Sequence, residues 1–164
     1  MAKKIAIYSI FISMALVAGF LERLVPISFT VPGVKLGLAN IVVVAALYLL
    51  GTRAAITIAL AKVLAIGILF GGASQIIFGL SGTVLSLLIM IPAKKTNLFG
   101  IVGVSILGAI SHNMGQITAA AIVVADIRLF YYLPVLMLSG LAAGLATGAI
   151  AFWLVRKIPP HVYS

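Results

Sequence analysis

The sequence contains no cysteine and almost no acidic side chains, and each scarcity excludes a class of protein. Without cysteine there are no disulfides, no thiolate metal sites and no cysteine catalysis. The only acids are Glu22 and Asp126, too few for the clustered carboxylates that a magnesium-dependent hydrolase or transferase requires. The sequence also lacks a P-loop, a G-x-S-x-G motif and an H-E-x-x-H motif. We therefore expect that the chain is not an enzyme and uses no cofactor.

Charge of either sign is scarce as well, because only 8% of the residues are charged while 64% are hydrophobic. The mean hydropathy is +1.34, and a chain of 164 residues cannot bury that much apolar surface in its own core. The apolar runs show no period-two alternation, and the 16 glycines favour bundled helices over a β-barrel. The sequence thus predicts an all-α integral membrane protein with a single transmembrane domain over residues 1–164.

The length of the apolar runs predicts how often the chain crosses the membrane. A bilayer core about 30 Å thick requires roughly 20 apolar residues per helix. Measured against that length, the sequence predicts a six-transmembrane-helix bundle with spans at 5–21, 36–50, 54–70, 75–91, 98–125 and 134–155. Pro26 and Pro32 mark the first connection, and 71–74 is the predicted turn after the third span. Pro92 together with Lys94 and Lys95 stops the fourth. Pro134 lies in the first turn of the sixth span.

The basic residues predict the orientation. Eleven Lys and Arg against two acids give a net charge of +9, but they are scattered between the apolar runs, which argues against a nucleic-acid partner. With the N-terminus inside, the cytoplasmic side carries Lys3, Lys4, Arg53, Lys94, Lys95, Arg156 and Lys157, and the outer side carries Arg23, Lys35 and Arg128. By the positive-inside rule, both termini are cytoplasmic and the protein lies in the cell membrane.

Polar side chains within the spans are the candidate ligand-binding residues, because a polar group in lipid is costly. Lys62 lies about nine residues, or roughly 13 Å, beyond Arg53 and so near mid-membrane. It either contacts a ligand or binds the carbonyls of a broken helix. His112 and Gln116 are one helical turn apart and can serve one ligand, while Asn113 fits a ligand contact and an interhelical hydrogen bond equally well.

Three further polar residues lie near the outer end of the predicted bundle. Lys35 precedes the second span, Asn40 is one turn inside it, and Gln75 opens the fourth span at the same level. Together with Gln116, His112 and Lys62 they describe a polar shaft that enters from outside. Its positive charge favours an anionic or polar-headed small ligand.

Small residues at four-residue spacing predict close helix contacts. Gly140, Gly144 and Gly148 form a continuous groove on the sixth span, and Ala15 and Gly19 form a shorter one on the first. Such stripes let helix backbones approach closely, either within the bundle or with a partner protein.

Several blocks of the sequence resemble one family over nearly the whole chain. They are K-L-G-L-A-N at 35–40, G-I-L-F-G at 67–71, L-S-G at 80–82 and S-I-x-G-A-x-S-H-N-x-G-Q at 105–116. These residues resemble the Gx transporter family, also labelled heptaprenyl diphosphate synthase component I. The sequence departs at Lys62, where the family more often has arginine, so that the charge is kept and the bidentate geometry is lost.

The two labels of that family imply different functions. The transporter label implies similarity to substrate-binding S-components of energy-coupling factor importers, which have six helices, cytoplasmic termini, an outward-facing pocket, a coupling membrane protein and ATPase subunits. In those proteins a small-residue stripe on the first helix contacts the coupling protein, and Ala15 and Gly19 are the counterpart here. The alternative is a non-catalytic subunit that holds an isoprenoid or quinone for a synthase or redox complex, with the apolar tail beside the glycines of the sixth span.

Overall fold

The computed structural model describes residues 2–24 and 36–158, and these residues are helical with no strand among them. The α-helices are α1 (Ala2–Leu24), α2 (Leu38–Leu49), α3 (Thr52–Ile66), α4 (Gly72–Lys95), α5 (Ile101–Val124) and α6 (Leu133–Lys157). A π-helical turn, Gly67–Gly71, connects α3 to α4, and a 3-10 helix, Ile127–Tyr132, precedes α6. The prediction of an all-helical fold is confirmed.

Four stretches are long and apolar enough to cross a membrane: Lys3–Leu24, Thr52–Lys95, Ile101–Val124 and Ile127–Lys157. The second of these is 44 residues long and comprises α3, the π-helical turn and α4. Gly72, with φ 69° and ψ −175°, interrupts the helical path between the two arms. The arms fold back on each other, because a Cβ on Gly79 of α4 would lie 2.9 Å from Cγ1 of Val63 in α3. This stretch is therefore a helical hairpin.

The remaining apolar helix, α2, is short and buried. Its 12 residues span about 18 Å, well below the bilayer core of about 30 Å. Six consecutive residues, 42–47, are each at most 7% exposed, so every face of α2 is covered by protein. Helices thus lie at all six predicted positions, but six membrane crossings and two cytoplasmic termini stay predictions.

Two predicted breaks differ in position from the helix ends in the structure. The helix α4 continues through Pro92 and ends at Lys95, although the proline cannot donate the usual helical bond to the Leu88 carbonyl. The Pro92 carbonyl itself accepts from the Thr96 amide at 3.0 Å. The turn predicted at 71–74 is also shorter, since α4 already begins at Gly72. Pro134 does lie in the first turn of α6, as predicted.

The helix α2 lies at the centre of the bundle. It contacts α1, α3, α5 and α6, while α4, α5 and α6 pack side by side in chain order. The largest fully buried side chains are Val44 and Leu47 of α2, Ile58 of α3 and Val104 of α5. The core therefore forms around α2, which contacts helices that come before and after it in the chain.

Hydrogen bonds between helices show that the chain runs alternately up and down. Arg23 at the end of α1 donates to the Phe70 carbonyl beyond α3, and Lys94 at the end of α4 donates to the Leu47 carbonyl near the end of α2. Seven basic residues consequently share one end of the bundle, named here the basic end: Lys3, Lys4, Arg53, Lys94, Lys95, Arg156 and Lys157. These are the residues predicted to be cytoplasmic.

The outside of the bundle is apolar. Large side chains such as Ile122, Leu138 and Trp153 are 74%, 68% and 60% exposed. A water-soluble protein rarely presents contiguous apolar surface of this extent, whereas lipid covers it without cost. The chain is a multi-pass membrane protein.

Candidate functional site

A polar cavity of about 120 Å³ opens between the helices on the side away from the basic end. Six of the seven predicted ligand-binding residues line it: Asn40, Lys62, Gln75, His112, Asn113 and Gln116. The seventh, Lys35, lies outside the described residues. The helices α2, α3, α4 and α5 each contribute at least one of the six, so residues far apart in sequence meet in this cavity.

Lys62 is the buried cation of the polar cavity. It lies one turn before the end of α3 and is only 6% exposed. Its Nζ donates to Oδ1 of Asn40, in the first turn of α2, at 3.0 Å. A buried charge requires polar partners because it has lost its water, and the amide of Asn40 supplies an oxygen without a compensating negative charge.

His112 and Gln116 owe their position to an unusually close approach of α4 and α5. A Cβ on Gly82 of α4 would lie 2.9 Å from Cε1 of His112 and 2.8 Å from Cγ of Gln116. On the facing helix, a Cβ on Gly115 would lie 2.6 Å from the Ser81 carbonyl oxygen. Glycine at both positions lets the two side chains lie against α4 at the cavity wall.

The side chain of Asn113 forms an interhelical hydrogen bond and also lines the polar cavity. Its Nδ2 donates to the Leu136 carbonyl, in the first turn of α6, at 2.7 Å. The amide is buried, so this bond satisfies a donor that would otherwise be costly inside the bundle. Of the two interpretations given for Asn113, the interhelical hydrogen bond is present in the structure.

The end of α1 adds two charged residues that sequence reasoning assigned to a loop. Glu22 and Arg23 both line the polar cavity. Oε1 of Glu22 accepts from the Gly37 amide at 2.6 Å, and Nη1 of Arg23 donates to the Phe70 carbonyl at 2.8 Å. The Arg23 guanidinium also lies 5.6 Å from the Phe70 ring centroid. Nη2 of Arg23 is buried and has no hydrogen-bond partner within residues 2–24 and 36–158.

A narrow extension leads from the polar cavity deeper into the bundle. It has room for about one water molecule, with a volume of about 10 Å³, and shares Asn40, Lys62 and His112 with the larger space. Thr83 and Ser86 of α4 line the extension, and each is 4% exposed. The Thr83 hydroxyl has no partner among the described residues. Sequence reasoning missed both residues, which have T-x-x-S spacing in the apolar helix α4.

The glycine stripe of α6 is covered by α5. A Cβ on Gly144 would lie 2.6 Å from Cα of Ile106, and one on Gly148 would lie 2.8 Å from Cα of Val102. Gly140 similarly faces the backbone of Ile110 at 3.2 Å. The stripe therefore packs helices within the chain, and an apolar tail beside it, as the alternative hypothesis had it, would have to displace α5.

The small residues of α1 are also covered within the chain. Ala15 is fully buried, and a Cβ on Gly19 would meet the Ile66 side chain of α3. The helices α3 and α2 cover that face, so helix packing within the chain is present at this pair, and its contact with a coupling protein stays a prediction. The exposed side of α1 instead carries Ile10, Met14 and Val17.

The charges of the polar cavity favour an anion over a metal ion. Lys62 and Arg23 supply two positive charges and Glu22 one negative charge, so the lining carries a formal charge of +1 with His112 neutral. Within the described residues, no three His, Cys, Asp or Glu side chains cluster closely enough to hold a metal ion. The donors of Lys62, Arg23, Gln75 and Gln116 together can hydrogen-bond a small anionic group.

Comparison with known proteins shows the family. No curated protein and no solved structure matches the sequence. One family model, described as heptaprenyl diphosphate synthase component I, matches residues 11–154. The matched range extends from α1 to the end of α6 and contains every residue of the polar cavity. The resemblance found in the sequence motifs is thereby confirmed, and the chain belongs to the heptaprenyl diphosphate synthase component I family.

Proposed function

We propose that the protein is a membrane substrate-binding component, similar to S-components of energy-coupling factor importers, that binds a small anionic or polar-headed ligand for uptake with partner subunits. The polar cavity carries this proposal. Its lining gathers nine polar residues from six helices, the buried Lys62 among them, and a mere packing role does not require such convergence.

The direction of binding follows from the charge distribution. Seven of the eleven Lys and Arg residues lie at the basic end, which the positive-inside rule assigns to the cytoplasm. The polar cavity lies toward the opposite end, near Arg23 and the π-helical turn, and would therefore receive its ligand from outside. Energy for uptake would come from a coupling protein and ATPase subunits.

A second candidate is a non-catalytic membrane subunit that holds an isoprenoid or quinone for a prenyl diphosphate synthase or redox complex. The family description favours it, since a component I implies a second component. A catalytic role for this chain is disfavoured by its two carboxylates. Glu22 bonds the Gly37 amide, and Asp126 forms an ion pair with Arg128 at 3.7 Å on the α5–α6 connection.

Native mass spectrometry of the protein purified in mild detergent tests both candidates. A preformed site retains its ligand, so we expect a bound small molecule on the wild type and none on Lys62→Leu or His112→Leu. Lys95→Leu is the matched control, because Lys95 is exposed at the basic end. A water-soluble anion supports the importer, and a prenyl lipid or quinone supports the second candidate.

The variants also decide whether the polar cavity is the site. An unchanged bound mass on both Lys62→Leu and His112→Leu, with the same melting temperature, would contradict the assignment of these residues. A wild-type spectrum without any bound molecule would contradict a preformed site that retains its ligand.

A further inference from the structure

An open apolar cleft of about 680 Å³ lies beside the polar cavity, and the proposed function does not account for it. It runs between the first half of α4, the second half of α5 and the 3-10 helix before α6. Its lining is mostly apolar: Phe78, Ile117, Ala120, Leu129, Tyr132 and Leu136. Ile117 and Leu136 are buried and form its floor, whereas Tyr132 at its edge is 51% exposed.

The two spaces are adjacent and share a pair of amides in their walls. Gln75 of α4 and Gln116 of α5 line both the polar cavity and the apolar cleft. One side of this pair therefore leads to Lys62 and His112, and the other leads to Phe78 and the outside of the bundle. A chain that passes between the two glutamines would have one end among charges and the other among apolar side chains.

The two spaces also differ in volume, and this difference parallels their difference in polarity. About 120 Å³ in the polar cavity is below the usual 300–1,000 Å³ of a small-molecule pocket, but it suffices for a compact head group. The apolar cleft is several times larger, and none of the described residues that line it is charged. A compact ionic group and a bulkier hydrocarbon group match these two spaces.

We infer that the ligand is an anionic amphiphile, whose charged head lies in the polar cavity near Lys62 and whose hydrocarbon chain lies in the apolar cleft. This inference rests on the proposed function and specifies its ligand class. The cleft opens sideways at the exposed Tyr132, where the surrounding surface is apolar, so the chain can enter from the bilayer. Gln75 and Gln116 hydrogen-bond the head at the boundary between the two spaces.

Binding of a matched pair of probes tests the inference. Methyl phosphate and hexyl phosphate are titrated by calorimetry into the protein in phosphatidylcholine nanodiscs, with empty nanodiscs as the blank. Each buried methylene contributes roughly a fourfold gain in affinity, so we expect hexyl phosphate to bind at least about tenfold more tightly even if only part of its chain is covered. Hexylammonium, with the opposite charge, is expected not to bind.

Two variants test whether the gain in affinity for hexyl phosphate comes from the apolar cleft. Ala120→Trp and Leu129→Trp fill it from opposite walls and are expected to remove the preference for hexyl phosphate while leaving methyl phosphate affinity unchanged. Unchanged methyl phosphate binding also shows that the variants fold. Lys62→Met is expected to remove binding of both phosphates.

The outcomes separate this inference from the proposed function. Equal affinity for the two phosphates, lost together in Lys62→Met, would overturn the amphiphile and leave the polar cavity as a site for a small anion. A hexyl preference that persists in both tryptophan variants would also overturn it. Binding of neither phosphate would overturn the anionic head group and with it this inference, but not an uncharged polar-headed ligand in the polar cavity.

A change of lipid identifies the source of the amphiphile. If phosphatidylglycerol in the nanodisc competes with hexyl phosphate, the natural ligand is an anionic bilayer lipid. If hexyl phosphate binds equally well in its presence, the ligand is a single-chain amphiphile that reaches the cleft from solution or by diffusion in the bilayer. Either result supports the inference.

Discussion

The two halves of the bundle, α1–α3 and α4–α6, are held together by different kinds of contact. Between α4, α5 and α6, glycines lie directly against the backbone of the neighbouring helix, as Gly144 does against Ile106 and Gly115 against Ser81. On α1, Gly19 faces side chains instead: the flexible end of Ile66 and, in ordinary van der Waals contact, the Ala39 Cβ. The comparison teaches that helix separation is fixed by backbone in the second half and by adjustable side chains in the first.

Polar side chains link the helices of the first half to one another and to α4. Lys62 bonds Asn40, Glu22 bonds the Gly37 amide, and Lys94 bonds the Leu47 carbonyl while its Nζ lies 5.0 Å from the Tyr48 ring centroid. The polar cavity consequently has one wall set by backbone contact and one wall set by hydrogen bonds. Three substitutions distinguish the two kinds of contact, with effects expected to decrease in the order given.

Gly144→Ala is expected to have the largest effect on stability. Its Cβ would lie 2.6 Å from the Ile106 Cα, and only a shift of whole helices relieves that clash. We expect the free energy of unfolding to fall by about 2 kcal/mol, as in other overpacked cores. Gly19→Ala clashes only with the end of the Ile66 side chain and should cost distinctly less.

Thermal unfolding in detergent, followed by circular dichroism, measures this difference. Gly100→Ala is the control, because nothing lies within 4 Å of the added methyl group and the backbone φ of −66° suits alanine. Equal destabilisation by the substitutions at Gly19 and Gly144 would contradict the difference between the two halves.

Lys94→Met is expected to have an intermediate effect. The variant keeps the unbranched side chain but removes the 2.6 Å hydrogen bond to the Leu47 carbonyl near the C-terminal end of α2. A bond to a charged donor contributes roughly 1.5–3 kcal/mol when buried, and we expect about 1 kcal/mol here because Lys94 is only half-buried.

The same unfolding assay checks the role of Lys94. Lys95→Met removes a neighbouring exposed charge without a comparable bond and serves as the control. If both variants lose the same stability, the loss reflects charge at the basic end and not the link between α4 and α2.

Thr147→Val is expected to have the smallest effect. It removes the 3.0 Å hydrogen bond between the hydroxyls of Ser105 and Thr147 but preserves the shape of the side chain. Interhelical hydrogen bonds in membranes contribute about 0.6 kcal/mol on average, and the glycines already fix the distance between α5 and α6.

A matched variant isolates the interhelical part of that bond. Thr118 is exposed, and within the described residues its hydroxyl bonds the Met114 carbonyl of its own helix and no other helix. Thr118→Val is therefore expected to change stability less than Thr147→Val. A loss at Thr147 as large as that of Gly144→Ala would show that hydroxyls, and not glycines, hold the second half together.

Much of the candidate site could be predicted because a polar residue is conspicuous in an apolar span. Lys62, His112 and Gln116 were identified in this way, and all three line the polar cavity. Arg23 was assigned to a loop, because a charge at the end of a span has no feature that distinguishes a cavity wall from a solvated loop. Thr83 was missed because a hydroxyl is inconspicuous in a helix.

The helix ends could be predicted only where a local signal decides them. Pro134 has a fixed φ that suits the first helical turn, and it lies there. Pro92 has the same side chain, but it lies inside α4, where it cannot donate the usual bond to the Leu88 carbonyl. The helix continues through it to Lys95 because packing of α4 against α5 outweighs this local cost.

The sequence by itself determined that this chain is a helical membrane protein, because composition and the length of apolar runs are sufficient for that conclusion. It also determined the family, which depends on short blocks of neighbouring residues. Only the tertiary structure decided that Glu22 and Arg23 line the polar cavity, that α6 turns its glycines toward α5, and that an apolar cleft adjoins Gln75 and Gln116. These features depend on how helices distant in sequence pack, and no local pattern of residues encodes that geometry.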